Sequence, residues 1–207
     1  MIDTIIAVDE NDNVLGDFFY SCYLDLNDCF VANGINANLI KSNSLNDLSI
    51  SLRIENKTRF IFIAYTHGGQ SELTANGSYQ YISNTINIDK FKNSFFYTCS
   101  CYTGKELGRH LIDNGCLGFV GYNNKFTVWD FYRSPFVECA NYGLKLFVEG
   151  FRTDDLYTKM KDKYTEHIDN YNNDMFGAAM LVANRNALVK IGQNICIQDL
   201  LTNNSLK

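Results

Sequence analysis

The sequence is poor in the features that divide a chain or send it into a membrane. It contains one proline in 207 residues, and no stretch rich in Pro, Gly or Ser separates one part from another. A chain of this length can bury one sizeable core, so we expect a single domain over residues 1–207. No apolar run approaches the roughly 18 residues that a membrane span requires. The N-terminal MIDTIIAVDENDN lacks a basic start and a long apolar stretch, so we expect no signal peptide, no membrane partner and a cytoplasmic location.

Basic residues are also in short supply. Lys and Arg number 18 against 23 Asp and Glu, which gives a formal net charge of −5. A nucleic-acid partner would require a basic face, so we expect none. The seven cysteines include no C-x-x-C pair, which argues against a zinc site and a disulfide framework and favours free thiols in a reducing cytosol. Because no P-loop, Rossmann fingerprint or EF-hand pattern is present, we expect no cofactor and no metal.

What the chain does contain is an alternation of short apolar runs with helix-like segments. The run RFIFIAY barely alternates between apolar and polar residues, as expected for a parallel strand that is buried on both faces. The β-α-β order predicts a doubly wound α/β sheet covered on both faces. The predicted strands are TIIAV (4–8), ANLI (37–40), RFIFIAY (59–65), SFFYTC (94–99) and LGFVGY (117–122).

Several other segments complete this outline. Between the third and fourth strands, GSYQYISNTINID predicts a short hairpin in place of a helix. The span 134–190 has helical patterning, in which MFGAAMLVANRNALV is predicted to be mostly buried, and NICIQDL is predicted to be a last edge strand. In SLNDLSISL, Leu45, Leu48 and Leu52 are predicted to share one apolar helix face.

A histidine and a cysteine follow two of the predicted strands at matching positions. His67 comes just after the third strand, in YTHGG, and Cys101 comes just after the fourth, in YTCSCYTG. Open parallel sheets bind ligands beyond the carboxyl ends of their strands, and neighbouring strands lie roughly 5 Å apart. If the two strands are neighbours, a thiol and an imidazole meet there, which is the minimal unit of cysteine-based acyl transfer.

The residues around this pair fit the same chemistry. Thr103 and Glu106 have capping-box spacing, which predicts a helix that begins behind Cys101 and lowers the pKa of its thiol. The N–H groups of Gly68 and Cys101 are candidates for an oxyanion hole. Taken singly, a histidine at a strand end is usually a polar rim residue and a cysteine in a β-rich run is usually part of the core. Their pairing at adjacent strand ends favours a Cys–His site.

YTHGG, followed by FFYTCSCYTG, a helix and GCLGFVGYNN, resembles the caspase-like cysteine peptidases of the caspase/separase/gingipain clan. Within that clan the chain is most similar to the CHAT branch, whose S-A-C-x-T-G, helix, glycine-rich strand and downstream Trp and Asp look like SCYTGKELGRHLIDNGCLGFVGYNNKFTVWD. The resemblance covers roughly residues 55–190. It implies an α/β/α sandwich with a mostly parallel central sheet and a small hairpin after the third strand.

The resemblance also implies roles for individual residues. His67 matches the general base, Cys101 the nucleophile and Gly68 the glycine that lines the oxyanion hole. The chain departs from the pattern at Cys99, where relatives usually carry a polar or acidic residue beside the S1 pocket. Strand alternation points Cys99 and Cys101 the same way, so sidedness does not separate them. The T-G that follows Cys101 and the predicted helix start favour Cys101 as the nucleophile.

The loop after the fifth strand supplies two opposite charges for the S1 pocket, which would also include Cys99. Asp130 would select Lys or Arg before the cleaved bond, whereas Arg133 would select Asp or Glu. The residues themselves do not decide which one points inward. The resemblance, in which an acidic residue follows the Trp, favours Asp130.

We therefore expect a cysteine endopeptidase that cleaves a protein or peptide substrate through a thioester in a regulated proteolytic pathway. The resemblance implies that a partner protein activates it. An alternative is a catalytically silent caspase-like scaffold that binds a partner through the same cleft. A third class is a flavodoxin-like binding or signalling domain. The early β-α-β order fits it, but the chain lacks the acidic cluster and the phosphate loop of that class.

Overall fold

The computed structural model describes residues 2–171 and 175–201, which contain nine strands and seven α-helices. The strands are β1 (Asp3–Val8), β2 (Ala37–Lys41), β3 (Phe60–Tyr65), β4 (His67–Gly68), β5 (Glu72–Ala75), β6 (Tyr79–Ser83), β7 (Phe95–Thr98), β8 (Gly118–Tyr122) and β9 (Leu188–Gly192). The helices are α1 (Gly16–Ala32), α2 (Asp47–Ile54), α3 (Leu107–Asp113), α4 (Ser134–Val148), α5 (Thr153–Asp169), α6 (Met175–Ala187) and α7 (Ile197–Leu201).

Six strands form the central sheet, in the order β2-β1-β3-β7-β8-β9. All neighbours are parallel except β8 and β9, which are antiparallel. Each of the five strands predicted from the sequence is present, with both ends within one residue of the prediction. The mostly parallel α/β sheet is therefore confirmed, and it matches the expected caspase-like sandwich.

The sheet is buried because helices cover both of its faces. On one face α1, α4 and α5 pack over side chains that include Ile63 and Tyr97. On the other face α2 and α3 pack over side chains that include Phe62 and Phe96. Neighbouring residues of β3 thus enter opposite cores, and all six of its residues are buried. This is why the strand shows little alternation in the sequence.

The predicted hairpin after the third strand is also present. β4, β5 and β6 form a second, antiparallel sheet of three strands. Asp9, directly after β1, holds this sheet to the carboxyl end of the central sheet. Its Oδ2 accepts a hydrogen bond from the Asn76 N–H at 3.0 Å, and its Oδ1 accepts one from the Ser42 hydroxyl at 2.7 Å.

Three local predictions are wrong. NICIQDL contains the helix α7, and the antiparallel edge strand is β9 instead. In α2 the buried residues are Ile50 and Ile54, while Leu48 and Leu52 are exposed, because the helix begins at Asp47 and turns its isoleucines toward the sheet. The first two residues of α6, Met175 and Phe176, are exposed and not buried.

Within residues 2–171 and 175–201, no helix combines the length and the apolar character needed to cross a membrane.

Candidate active site

The loops that carry His67 and Cys101 leave two neighbouring strands of the central sheet. β3 and β7 pair in parallel as far as Ala64 and Thr98, so His67 and Cys101 each lie three residues beyond the last paired residue of their strand. The Ser100 hydroxyl donates a hydrogen bond to the Thr66 carbonyl at 2.7 Å, so the two chains still run side by side beyond the strand ends. Adjacent strands lie about 4.8 Å apart, and the two loops therefore emerge together at the carboxyl edge of the sheet.

Gly68 brings these two loops into direct contact. A Cβ added to Gly68 would lie 2.8 Å from Cβ of Ser100 and 2.8 Å from Cγ2 of Thr103, and it would lie 3.1 Å from the carbonyl oxygen of Cys101. Only glycine, which has no Cβ, allows the backbone to approach so closely. The His-Gly pair is thus packed against the turn that contains Cys101.

The His67 imidazole is held from two sides. Its Nε2 lies 3.0 Å from Oδ2 of Asp12, and its ring meets the ring of Phe19 edge to face, with centroids 5.5 Å apart. About a third of the His67 side chain remains exposed. A histidine whose Nε2–H donates to a carboxylate keeps Nδ1 as its proton acceptor, so this arrangement fits a general base.

Asp12 is a site residue that the motifs did not reveal. It lies in the loop after β1, and its Oδ1 accepts hydrogen bonds from the Val14 N–H at 3.0 Å and the Leu15 N–H at 2.7 Å. Burial alone would raise the pKa of Asp12, but these two amides and the His67 imidazole together lower it below its usual value. The signal available in the sequence is that an acidic residue follows the first strand at the same edge of the sheet.

The Cys101 thiol is partly buried and lies against the backbone of Phe126. Its Sγ accepts a hydrogen bond from the Phe126 N–H at 3.3 Å and lies 3.7 Å from the Phe126 carbonyl oxygen. The next residue, Tyr102, has a φ of 62°, in the left-handed region that residues other than glycine rarely adopt. Its N–H donates to the Asn124 carbonyl at 3.1 Å, which ties the cysteine turn to the chain after β8.

The predicted helix start behind Cys101 is wrong. Residues 101–106 form turns, and α3 begins only at Leu107. The Thr103 hydroxyl donates to the Ser100 carbonyl at 3.1 Å instead of capping the helix. A helix dipole acts only within its first turn, so it does not reach Cys101.

The predicted lowering of the pKa of Cys101 is also wrong. Burial raises the pKa of this thiol, and the Phe126 N–H and the Lys125 ammonium offset only part of that effect. The raised pKa favours the neutral thiol of Cys101 over the thiolate.

The candidate oxyanion-hole donors lie on the two contacting loops. The Gly69 N–H donates to the Glu72 carbonyl at 2.9 Å, which makes these two residues a hydrogen-bonded pair of the β4–β5 hairpin. Hydrogen-bonded and non-bonded pairs alternate along an antiparallel ladder, so Gly68, opposite Leu73, is a non-bonded position. Its N–H therefore turns away from β5, as an oxyanion donor would need.

Cys99 lies in the core and not on a pocket wall. Its side chain is 2% exposed and belongs to the same sheet face that Cys101 packs against at its edge. Burial raises the pKa of Cys99 well above its usual value. The expectation that both cysteines share a side is met, but Cys99 offers no open surface to an S1 side chain.

Asp130 and Arg133 bind each other. The Arg133 Nε lies 3.1 Å from Oδ1 of Asp130, and its guanidinium also reaches Oδ2 of Asp17 at 3.4 Å. Asp130 is exposed, in a short 3-10 turn over residues 130–132. The sequence predicts that only one of the two charges points into the S1 pocket. In the structure they form an ion pair with each other.

Across the described residues, no group of three or more His, Cys, Asp or Glu side chains is arranged to hold a metal ion.

No family model matches the chain, and no curated protein matches its sequence. Its structure is similar to the crystal structure of the Arg-specific cysteine proteinase gingipain R (RGPB), with a TM-score of 0.62 and 11% identity over 93% of this chain and 46% of that chain. It is also similar to the complex of the Porphyromonas gingivalis RgpB pro- and mature domains, with a TM-score of 0.59 and 12% identity over 97% of this chain and 48% of that chain.

The chain spans just under half the length of each of these proteins. At such low identity the likeness concerns the fold alone. The fold is the caspase-like α/β fold that gingipain R shares.

Proposed function

We propose that this chain is a caspase-like cysteine endopeptidase domain with Cys101 as its nucleophile and His67 as its general base and acid. The observation that carries the proposal is the contact of the His67–Gly68 loop with the Cys101 turn at the carboxyl edge of the sheet, with Asp12 bound to the imidazole. Within this fold, the motif CSCYTG remains the reason to favour the CHAT branch.

The reaction begins from a neutral thiol. When a peptide carbonyl is in place, His67 accepts the Cys101 proton as the sulfur attacks the carbonyl carbon, and the amides of Gly68 and Cys101 stabilise the oxyanion. His67 then gives the proton to the leaving amine, and the C–N bond breaks to leave a thioester. Water attacks the thioester, His67 takes a proton from the water, and the thiol leaves with that proton as the acid is released.

Asp12 positions the base in this scheme. Its carboxylate accepts Nε2–H and stabilises the imidazolium that forms when Nδ1 takes the thiol proton. The backbone bonds to Val14 and Leu15 hold the carboxylate in place. The chain thus supplies nucleophile, base and orienting acid from three strand ends.

The neutral resting thiol also supports regulation by a partner protein. Burial disfavours the thiolate until a substrate or an activating protein changes the surroundings of Cys101. We propose a protein substrate cleaved in a regulated pathway. All seven cysteines are free, which supports a reducing compartment such as the cytoplasm.

The test is labelling of the purified full chain with a thiol-reactive peptide electrophile, together with cleavage of a peptide library. Both should be lost in Cys101→Ala and strongly slowed in His67→Ala. His110→Ala, which removes a histidine from α3, is the matched control and should behave like the unchanged chain. Labelling that is unaffected by His67→Ala, with no peptide cleaved, would favour the silent scaffold.

A further inference from the structure

An exposed cluster of apolar side chains joins two distant segments of the chain. Phe131 is 89% exposed and Phe176 is 71% exposed, and both contact the half-buried ring of Trp129. The Trp129 centroid lies 5.5 Å from that of Phe131 and 6.1 Å from that of Phe176, with which it is stacked at 18°. Met175, 87% exposed, precedes Phe176 at the start of α6. We call these four residues the aromatic patch.

The patch is unusual for a surface. Single exposed apolar residues are ordinary, but a contiguous exposed apolar patch is a common mark of a binding surface. Here Trp129, in the loop after β8, stacks on Phe176, in the first turn of α6, although the two residues are far apart in the sequence. Such a surface costs free energy in water, so it indicates a ligand that covers it.

The patch lies on the chain segment whose start contacts the proposed nucleophile. The Cys101 sulfur is bonded to the N–H of Phe126, and Trp129 follows Phe126 by three residues, a reach of at most about 10 Å. Trp129 and Cys101 also pack against the same apolar core on one face of the sheet. A peptide that crosses the thiol therefore passes within reach of the patch.

The chemistry of the loop favours an apolar occupant. Its two charged side chains between residues 129 and 134, Asp130 and Arg133, are paired with each other, and Arg133 also reaches Asp17. Paired charges offer little net attraction to a charged substrate side chain. The aromatic rings are therefore the surface that this loop offers to a substrate side chain, and they favour an apolar one.

We infer that the aromatic patch binds an apolar side chain of the polypeptide that is cleaved at Cys101, so that the substrate class is peptides with Phe, Leu or Met beside the cleaved bond. This inference rests on the proposed function, because it assumes that the bound polypeptide is cleaved at Cys101. The binding itself does not depend on catalysis, which makes the two separable.

The chain contains a single tryptophan, and it lies in the patch. Fluorescence of Trp129 therefore reports occupancy directly. The experiment uses the full chain as Cys101→Ala, so that nothing is cleaved, and titrates it with a blocked peptide that has Leu-Phe at its centre and no Trp or Tyr. Matched peptides carry Lys, Asp or Ser at the two central positions.

We expect saturable binding of the Leu-Phe peptide that is weakened at least about tenfold in Phe131→Ala/Phe176→Ala, a factor that corresponds to about 1.4 kcal/mol. Both phenylalanines are exposed, so the substitutions leave the core intact. The control is Leu48→Ala, which removes another exposed apolar side chain, 64% exposed, from α2 on the other face of the sheet and should not change the affinity.

Binding of the Lys or Asp peptide as tight as that of the Leu-Phe peptide would overturn the inference, and so would unchanged affinity in the double variant. Cleavage of the peptides by the unsubstituted chain is measured in parallel. Cleavage without discrimination between apolar and charged peptides leaves the proposed function standing and removes the patch as its specificity site. Selective binding without any cleavage or Cys101 labelling supports the patch and overturns the peptidase.

Discussion

The end of β7 and the turn that follows it carry two cysteines with opposite surroundings. Cys99 is enclosed by the core under α1 and α4, and burial raises its pKa well above the usual value. Cys101 lies at the rim of the same core, with a sulfur bonded to a backbone amide and a smaller rise in pKa. Both are on one side of the sheet, so depth in the structure and not sidedness distinguishes them.

This difference shows where the chain leaves the sheet and the candidate site begins. Thr98 and Ser100 are still fastened to β3 by side-chain bonds to the carbonyls of Ala64 and Thr66. At Cys101 the chain leaves the sheet and turns, with Tyr102 in the left-handed region. Strained backbone of this kind is often retained where it presents a functional group.

Replacing the sulfur by oxygen at each cysteine gives the largest contrast. Cys101→Ser should lower kcat/KM by at least about a thousandfold with little change in stability, since a hydroxyl is a much weaker nucleophile. Cys99→Ser should lower the free energy of unfolding by about 1–3 kcal/mol because a hydroxyl is buried in the core, while the labelling of Cys101 persists. Denaturant unfolding and electrophile labelling measure the two effects. An inactive Cys99→Ser beside an active Cys101→Ser would reverse the assignment.

Separating the two loops should have the next largest effect. In Gly68→Ala the new Cβ meets Ser100 and Thr103, so the loops must move apart, and a displacement of about 1 Å can reduce turnover about a hundredfold. Gly69→Ala is the control, because its Cβ would meet only the flexible Glu72 carboxylate. Equal activity of the two variants would mean that the contact at Gly68 does not set the site.

Asp12→Asn should reduce kcat by about ten- to a hundredfold with KM unchanged, less than the factor of about 10²–10⁴ typical of a general acid or base. The amide oxygen can still accept from Val14 and Leu15, but the charge facing His67 is lost. Cys101 labelling by a substrate-independent alkylating reagent should change little.

The pH dependence of stability checks the same pair. The pKa of Asp12 is lowered in the folded protein, so its contribution to stability is present above its unfolded pKa of about 3.9 and is lost as the pH falls through the lower folded pKa. The difference in unfolding free energy between the unchanged chain and Asp12→Asn should therefore shrink below about pH 4. A difference that is constant from neutral to acid pH would contradict the lowered pKa of Asp12.

The smallest effect is expected away from the cysteine turn, at Asp130 and Arg133. Their ion pair is largely exposed, so either alanine variant should change the unfolding free energy by no more than about 0.5 kcal/mol. If the sequence-based S1 prediction holds instead, Asp130→Ala will selectively lower kcat/KM for peptides with Lys or Arg before the cleaved bond. Kinetics with matched basic and apolar peptides separates these outcomes.

Local sequence predicted the strands and their ends well. A strand such as RFIFIAY is recognisable because its burial on both faces leaves a continuous apolar run. Once these runs are recognised as strands, His67 and Cys101 are placed directly after the ends of two of them. Where a prediction depended on helix phase or on the exact first residue of a helix, as at Leu48 or Thr103, it failed, because packing and turn geometry set those details.

The sequence by itself thus determined the α/β architecture and the strand-end motifs, since apolar periodicity and the residues after a strand are local properties. The tertiary structure alone decided that Asp12 reaches His67, that Asp130 and Arg133 bind each other, and that Trp129 stacks on Phe176. It also decided that the pKa of Cys101 rises, because desolvation depends on what folds over the thiol. These contacts join segments far apart in the chain, and no local pattern encodes the distance between them.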